Sequence, residues 1–334
     1  MPTRVWPRPI PPHTLVRMST VDPASQPSLQ AIIAGFRAGR FAHGLRCPHC
    51  RTVEPEHRWG RFAGRQRYRC GRCRRTFSDL TGTPPRYTKK LELWPAYAAC
   101  LGAGLSVRAA AARVGIHPSS AFRWRHRLLR GLNEYDREAL AGWIEVTSVR
   151  FAHSEKGARR LQRPPRRRGP RSGRRSAAWN VAVLLACDRL GSAITALAHP
   201  FGTGTFTSRN VETALGYRIA ANAVLTAEHG KFGPTGVFAR RQGLVFHDAR
   251  RDARSRRPLE AHTLTARAYG KRLLEWIRRF RGVSTAYLPN YLVWHRTVDL
   301  AYRRRTDRVA MRWPLDRDDA RGVGGMGHWA AVDR

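Results

Sequence analysis

Cys47-Pro48-His49-Cys50 and Cys70-Gly71-Arg72-Cys73, with 19 residues between them, fix the organisation of the front half of this chain. Two C-x-x-C pairs at this separation suit two short turns that each present two thiolates to one tetrahedral metal, with zinc the expected ion. Gly71 is expected to supply the left-handed backbone of the second turn. Between the pairs, Trp59 to Phe62 and Arg67 to Arg69 alternate apolar and basic residues as a strand does, and Arg74 to Phe77 reads as another short strand. A redox role for two such pairs is the weaker reading. His49 and His57 are spare ligands for a shell that four thiolates already close. The segment is small, so the metal is expected to replace a core of its own. Cys100 and Cys187 stand alone, and the whole cysteine pattern suits a reducing compartment better than a disulfide framework.

Downstream of Pro84-Pro85 the period changes. Leu91, Trp94, Ala98 and Leu101 recur at helical spacing, with Cys100 beside them as a small buried hydrophobe. Ser106 is placed to cap a second helix, Gly115 to end it, and Ile116-His117-Pro118 to turn the chain into a third helix opening at Ser119 and Ser120. Phe122, Trp124, Leu128 and Leu129 are expected to pack this third helix. Ser119, Ser120, Arg123 and Arg127 are then left on its outer face, as base and phosphate contacts in a major groove require. An ordinary three-helix bundle with a solvated basic face is the alternative. Charge favours DNA: 62 Lys and Arg stand against 23 Asp and Glu, a net of +39 over 334 residues. Such a chain repels itself unless a polyanion neutralises it. No apolar run reaches membrane-spanning length, and the leader has no signal-peptide core.

From Trp143 the pattern becomes mixed α/β. Ile144 to Phe151 alternates as a strand. Trp179 to Cys187 is an apolar run of interior-strand type, and Gly191 turns it into a hairpin with Ala193 to Ala198. Asn222 to Thr226 and Leu244 to His247 read as short strands, and Leu273, Trp276, Ile277 and Phe280 as a helical stripe. Three antiparallel strands followed by shorter strands mixed with helices is the order of an RNase-H-like fold. The fold class expected is therefore a multi-domain α/β chain: a disordered leader over 1–29, a zinc ribbon over 30–82, a helix-turn-helix domain over 83–138, an RNase-H-like domain over 139–300 with a basic loop at 158–176, and a tail over 301–334. Met18 offers an alternative start.

This order of modules resembles insertion-sequence transposases with an N-terminal zinc ribbon and a catalytic domain of the DDE class, in which Asn commonly stands third. Three stretches carry the resemblance: Thr81-Gly82-Thr83; Ser154-Glu155-Lys156-Gly157 with the following Arg163 to Gly169; and Arg279 to Arg296. Such enzymes cut and join DNA with two divalent ions held by carboxylates. The resemblance implies a first Asp within Glu-x-Asp-Glu-Thr-Tyr-Phe, and that position holds Thr147, with Ser148 after it. The second Asp falls on Glu228, which keeps the charge at a longer reach. The third falls on Arg267, counted back from Arg272 to Trp276, where a guanidinium repels a metal ion. A lysine expected near Thr285 is replaced by Ala286. No catalytic set is intact by this reading, and magnesium is implied only where a working site survives.

The loop from Arg163 to Arg175 holds seven arginines in thirteen residues and no acid. Arg163, Arg166, Arg167, Arg168 and Arg171 are accordingly expected on phosphates. The expectation is a transposase-family protein binding double-stranded DNA at element ends, cytoplasmic and nucleoid-associated, off the membrane, with strand chemistry degenerate and self-association left open. Two alternatives stand beside it: an active transposase with a relocated two-metal site, using Glu145 with Glu228, and a recruited transcriptional regulator. Asp188 is expected to serve a turn.

Overall fold

The computed structural model describes residues 28–41, 44–53, 56–62, 64–134, 139–161, 180–198, 205–252, 261–303, 312–313 and 327–328. They divide into two compact units, one drawn from residues 1–135 and 304–334 and the other from 136–303. Of the expected leader, only its last two residues fall within this range, and the basic-loop residues Arg163, Arg166, Arg167, Arg168 and Arg171 lie outside it.

The first unit opens with a helix that the sequence reading did not anticipate, α1 (Leu29–Arg40), capped by Ser28, whose side chain accepts from the amide of Ala31. Its inward residues Ile32 and Phe36 meet Pro84, Pro85, Trp94, Pro95, Ala98 and Leu128 around an apolar cavity of about 30 Å³. Next comes a three-stranded antiparallel sheet, β1 (Glu56–Phe62), β2 (Arg65–Cys70) and β3 (Thr76–Ser78), in that order. Its core is small: Tyr68 stacks on Phe77 at 5.3 Å beside buried Cys47 and Cys70. Thr81-Gly82-Thr83 closes the sheet as a turn, in which the Thr81 hydroxyl accepts from Ser78 N and that of Thr83 donates to Leu80 O.

Three helices follow, α2 (Trp94–Gly102), α3 (Val107–Val114) and α4 (Pro118–Glu134). Leu91, Trp94, Ala98, Cys100 and Leu101 are all buried, as their spacing requires. Trp124 packs between Trp94 and Tyr97 at 5.4 and 5.5 Å.

The second unit is a five-stranded mixed sheet: β4 (Trp143–Ala152), β5 (Asn180–Asp188), β6 (Ala193–Leu197), β7 (Val224–Ala227) and β8 (Val245–Asp248), ordered β6-β5-β4-β7-β8. The first three strands pair antiparallel, whereas β7 runs parallel to β4, and β8 parallel to β7. Asp188 ends β5 and its Oδ1 accepts from the amides of Gly191 and Ser192, each at 2.8 Å, so it serves the hairpin turn.

Period-two alternation divides the sheet faces. Ile144, Val146, Leu184, Ala186 and Leu225 face α5 (Ser208–Leu215) and α6 (Pro234–Arg241) through Val211, Leu215 and Phe238. After the short α7 (Ala249–Asp252), two helices, α8 (Leu264–Arg278) and α9 (Leu288–Arg303), complete the unit. α8 covers the opposite face, and so closely that a Cβ added at Gly270 would come within 2.9 Å of both Leu185 Cδ1 and Val149 Cγ1.

Two of the stretches quoted above meet here. Thr285 N donates to Ser154 O at 2.7 Å, Ser154 N donates to Thr285 Oγ1 at 2.9 Å, and Lys156 Nζ donates to the carbonyls of Arg281 and Gly282.

Gly270 yields the first prediction. Gly270→Val forces α8 off the sheet and destabilises the second unit by about 1–3 kcal/mol, seen as a lower urea midpoint. Gly142→Ala, where no atom lies within 4 Å of the added carbon, meets no packing clash and tests only the cost of its φ of +66°.

Candidate functional site: four thiols, a three-helix surface and a closed pair of acids

The four cysteines converge. Their Sγ atoms all lie within 4.8 Å of one another, with Cys47–Cys73 at 3.7 Å and Cys50–Cys70 at 3.5 Å. Sulfurs about 2.3 Å from a common tetrahedral centre sit roughly 3.8 Å apart, so the spacing fits one small ion.

Two equivalent turns build the site. Arg51 N donates to Cys47 O and Arg74 N to Cys70 O, while the amides of His49 and Cys73 point at the sulfurs of Cys47 and Cys70. The left-handed residues are Arg51 (φ 64°) and Arg74 (φ 61°), each just after the second cysteine of its pair, and Gly71 is not among the positive-φ positions. The expectation for Gly71 is thereby corrected: the turn places its tightest bend one residue beyond the loop, where the chain leaves the second thiol.

Burial pushes the Cys47 thiol up to about 12, whereas hydrogen bonds with Thr52 draw Cys50 down to about 6. A cation shared by the four sulfurs would favour the thiolate at each of them. Among the described residues no other group of three or more metal-ligating side chains gathers this way.

On the helices, Ser106 accepts from Ala109 N, and Gly115 takes the left-handed conformation (φ 70°, ψ 37°) that lets α4 leave α3 at an angle. Ser119, Arg123 and Arg127 are exposed and Ser120 half-buried, which gathers all four at one surface. The Ser119 hydroxyl is 2.8 Å from His117 Nδ1, Arg123 reaches Ser120 Oγ at 3.5 Å, and Arg127 Nη1 donates to Arg86 O.

The packing side differs from expectation. Phe122 is 38% exposed, whereas Arg125 is fully buried, its Nη2 donating to Leu105 O at 2.7 Å. His126 is buried too, edge-on to Phe122 at 4.4 Å. Arg125 occupies the inward position because its guanidinium supplies a donor to a carbonyl at the turn following α2, which Phe122 lacks.

In the second unit, the parallel register pairs Glu145 with Thr226 and Val146 with Ala227, so Thr147 and Glu228 each stand one step beyond the last paired position. The first turn of α8 meets both acids of this region. Glu145 is fully buried; its Oε2 accepts from Ala266 N at 3.0 Å, and its Oε1 lies 3.1 Å from His262 Nδ1 and 4.0 Å from Arg189 Nε. Glu228 Oε1 accepts from Thr263 Oγ1 at 2.5 Å and lies 3.5 Å from Arg267 Nε. Glu145 Oε2 and Glu228 Oε1 thus each accept a hydrogen bond, whereas the buried Glu145 Oε1 receives none. Arg189 also covers Trp143, which stacks on His247.

Comparison with known proteins adds to this geometry. Residues 90–133 match a homeodomain-like domain model. The match covers α2, α3 and α4. A protein described as an uncharacterized protein in the transposable element ISH50, from Halobacterium salinarum, is 33% identical over 132 residues, which is 39% of this chain and 44% of that protein. The chain thus spans less than half the length of this relative. Among the described residues, no helix is long and apolar enough to cross a membrane.

His126 supplies a prediction for the homeodomain-like region. Burial, then the charges of Arg125 and Arg130, hold its pKa down to about 4, so it folds neutral. The unfolded chain binds that proton more readily. The stability is complete above about pH 6.5 and is lost as pH falls toward 4, by roughly 3 kcal/mol in total. Thermal midpoints measured across this window should fall, and the fall should be shallower in His126→Leu. Acid loss of a thiolate-bound metal acts on both proteins alike and cancels in the comparison.

Proposed function

We propose that this protein binds double-stranded DNA as a member of the insertion-sequence transposase type, with a zinc ribbon and a helix-turn-helix at the front and an RNase-H-like domain whose strand chemistry is silent. The match to a homeodomain-like domain supports DNA binding, and the similarity to a protein of a transposable element supports the mobile-element setting. A sheet ordered β6-β5-β4-β7-β8, three strands antiparallel and two added in parallel, is the arrangement an RNase-H-like domain has.

Zinc is the metal that four thiolates at this spacing select. Cys47, Cys50, Cys70 and Cys73 would hold it, and its role would be to fix the turns of a sheet too small to fold on its apolar core. Ser119, Ser120, Arg123 and Arg127 would enter or flank a major groove, with α4 as the reading helix. Arg163, Arg166, Arg167, Arg168 and Arg171 would add phosphate contacts. A cytoplasmic, nucleoid-associated setting goes with that partner.

One observation carries the silent reading: Arg267 is ion-paired with Glu228 at 3.5 Å. These are two of the three positions where the resemblance calls for metal ligands. At this distance the guanidinium supplies positive charge where a divalent ion would otherwise bring it. Thr147, at the remaining corner, offers no anionic oxygen.

The second reading, an active enzyme with a relocated site, is favoured by one fact: Glu145 and Glu228 both reach the first turn of α8. Against it, Glu145 is fully buried and its Oε2 is already taken by the amide of Ala266. Supercoiled plasmid carrying short inverted repeats, incubated with Mg²⁺ or Mn²⁺, separates the two. The wild type is expected to leave it intact. Metal-dependent nicking that disappears in both Glu145→Gln and Glu228→Gln would establish the relocated site. Thr147→Asp combined with Glu228→Asp and Arg267→Asn is expected to gain nicking.

For the front half, metal analysis should return about one zinc per chain, lost in Cys70→Ser. The slope of log affinity for duplex against log salt should fall by about 2 in Arg123→Ala/Arg127→Ala.

A further inference from the structure

The loop leaving β7, His229 to Gly233, and the first turn of α6 after it have a shape that their glycines impose. Gly230 is left-handed at φ +67°. A Cβ at Gly233 would lie 2.4 Å from His229 O, and one at Gly236 2.5 Å from Lys231 O. Backbone packed that tightly does not rearrange cheaply, so the side chains at its tip stay where the loop puts them. What it puts there is Phe232, 76% exposed. Holding a phenyl ring in water forgoes its burial energy, and a loop so constrained has no means of turning the ring inward.

Two cations flank that ring. Lys231 Nζ is 5.2 Å and Arg240 Cζ 5.7 Å from its centroid, and Arg240 Nη2 donates to Lys231 O at 3.2 Å, which ties the two together. Beside them opens a depression of about 340 Å³ lined by Lys231, Phe232, Gly236, Arg240, Leu244 and Phe246. Of the acids on neighbouring elements, Glu228 pairs with Arg267 and Glu212 with Arg241, while Asp248, which accepts from the amide of Arg250, places its Oδ2 against Gly230 at the root of the loop. The patch therefore offers an aromatic face, an apolar floor and two positive charges.

We propose that this patch binds an unpaired nucleotide of single-stranded DNA, with Phe232 stacking on the base and Lys231 and Arg240 meeting the flanking phosphates. A nucleotide is the ligand class that presents a flat π-face and an anion a few ångströms apart, and base–aromatic stacking needs no particular base. A base inside a duplex has both faces covered, so the strand must be open at this point. The assignment rests on the DNA-binding reading above and deepens it. The patch begins three residues after Glu228, at the end of the sheet where that reading places the silent catalytic positions.

The test uses the full chain and a single-stranded oligothymidine of about 12 nucleotides carrying one 5-iodouracil, irradiated in complex and mapped by mass spectrometry. The adduct is expected on Phe232. Fluorescence anisotropy with the same strand should show about a 10-fold loss of affinity in Phe232→Ala, retention in Phe232→Trp, and a shallower salt slope in Lys231→Ala/Arg240→Ala, with duplex affinity unchanged in all three. An adduct confined to other peptides, or a Phe232→Ala affinity within about two-fold of wild type, overturns the assignment. Duplex affinity absent from the wild type itself would instead overturn the helix-turn-helix reading, leaving the single-strand arm to be judged by the adduct alone.

Discussion

The parallel pairing of β4 with β7 is the constraint on which the second unit depends. It brings Glu145 and Thr147 level with a strand end eighty residues later, and it leaves Glu228 one step past the last paired residue. α8 then closes over that edge, held close by the missing side chain at Gly270. Three segments far apart in sequence thus share one small region, and whatever charge they bring has to balance there. In this chain the neighbours are the protein's own groups: the Ala266 amide and Arg189 near Glu145, Arg267 and Thr263 at Glu228.

The front half uses the opposite logic. Its three-stranded sheet buries little beyond Tyr68 and Phe77, and the four thiols gather where one cation would satisfy them all. The adjoining helices hold together through Trp94, Tyr97 and Trp124, which leaves α4 free to present polar residues on its other side.

Much of this was legible in the sequence because the signals were periodic or chemical. C-x-x-C spacing placed the thiols, apolar alternation placed β4, a near-continuous apolar run placed β5, and Ser106 with Gly115 bounded α3. The exceptions share a cause: they depend on partners far away along the chain. Arg125 reads as a solvated charge until its bond to Leu105 O is known, and Phe122 reads as core until Arg125 has taken that direction. α1 was missed because its apolar face makes sense only against Pro84, Pro85 and Trp94. At the acids, counting from flanking motifs located Glu228 and Arg267 but could not tell that they touch. The tight loop at Phe232 gave no signal beyond its glycines, since close backbone approach has no periodicity.

The central claim is that Arg267 stands where a divalent ion would bind beside Glu228. Manganese binding to the zinc-loaded protein, followed by electron paramagnetic resonance, tests it most directly. The account predicts no bound manganese beyond nonspecific background in the wild type. One tightly held manganese per chain, released by Glu228→Gln, would contradict it.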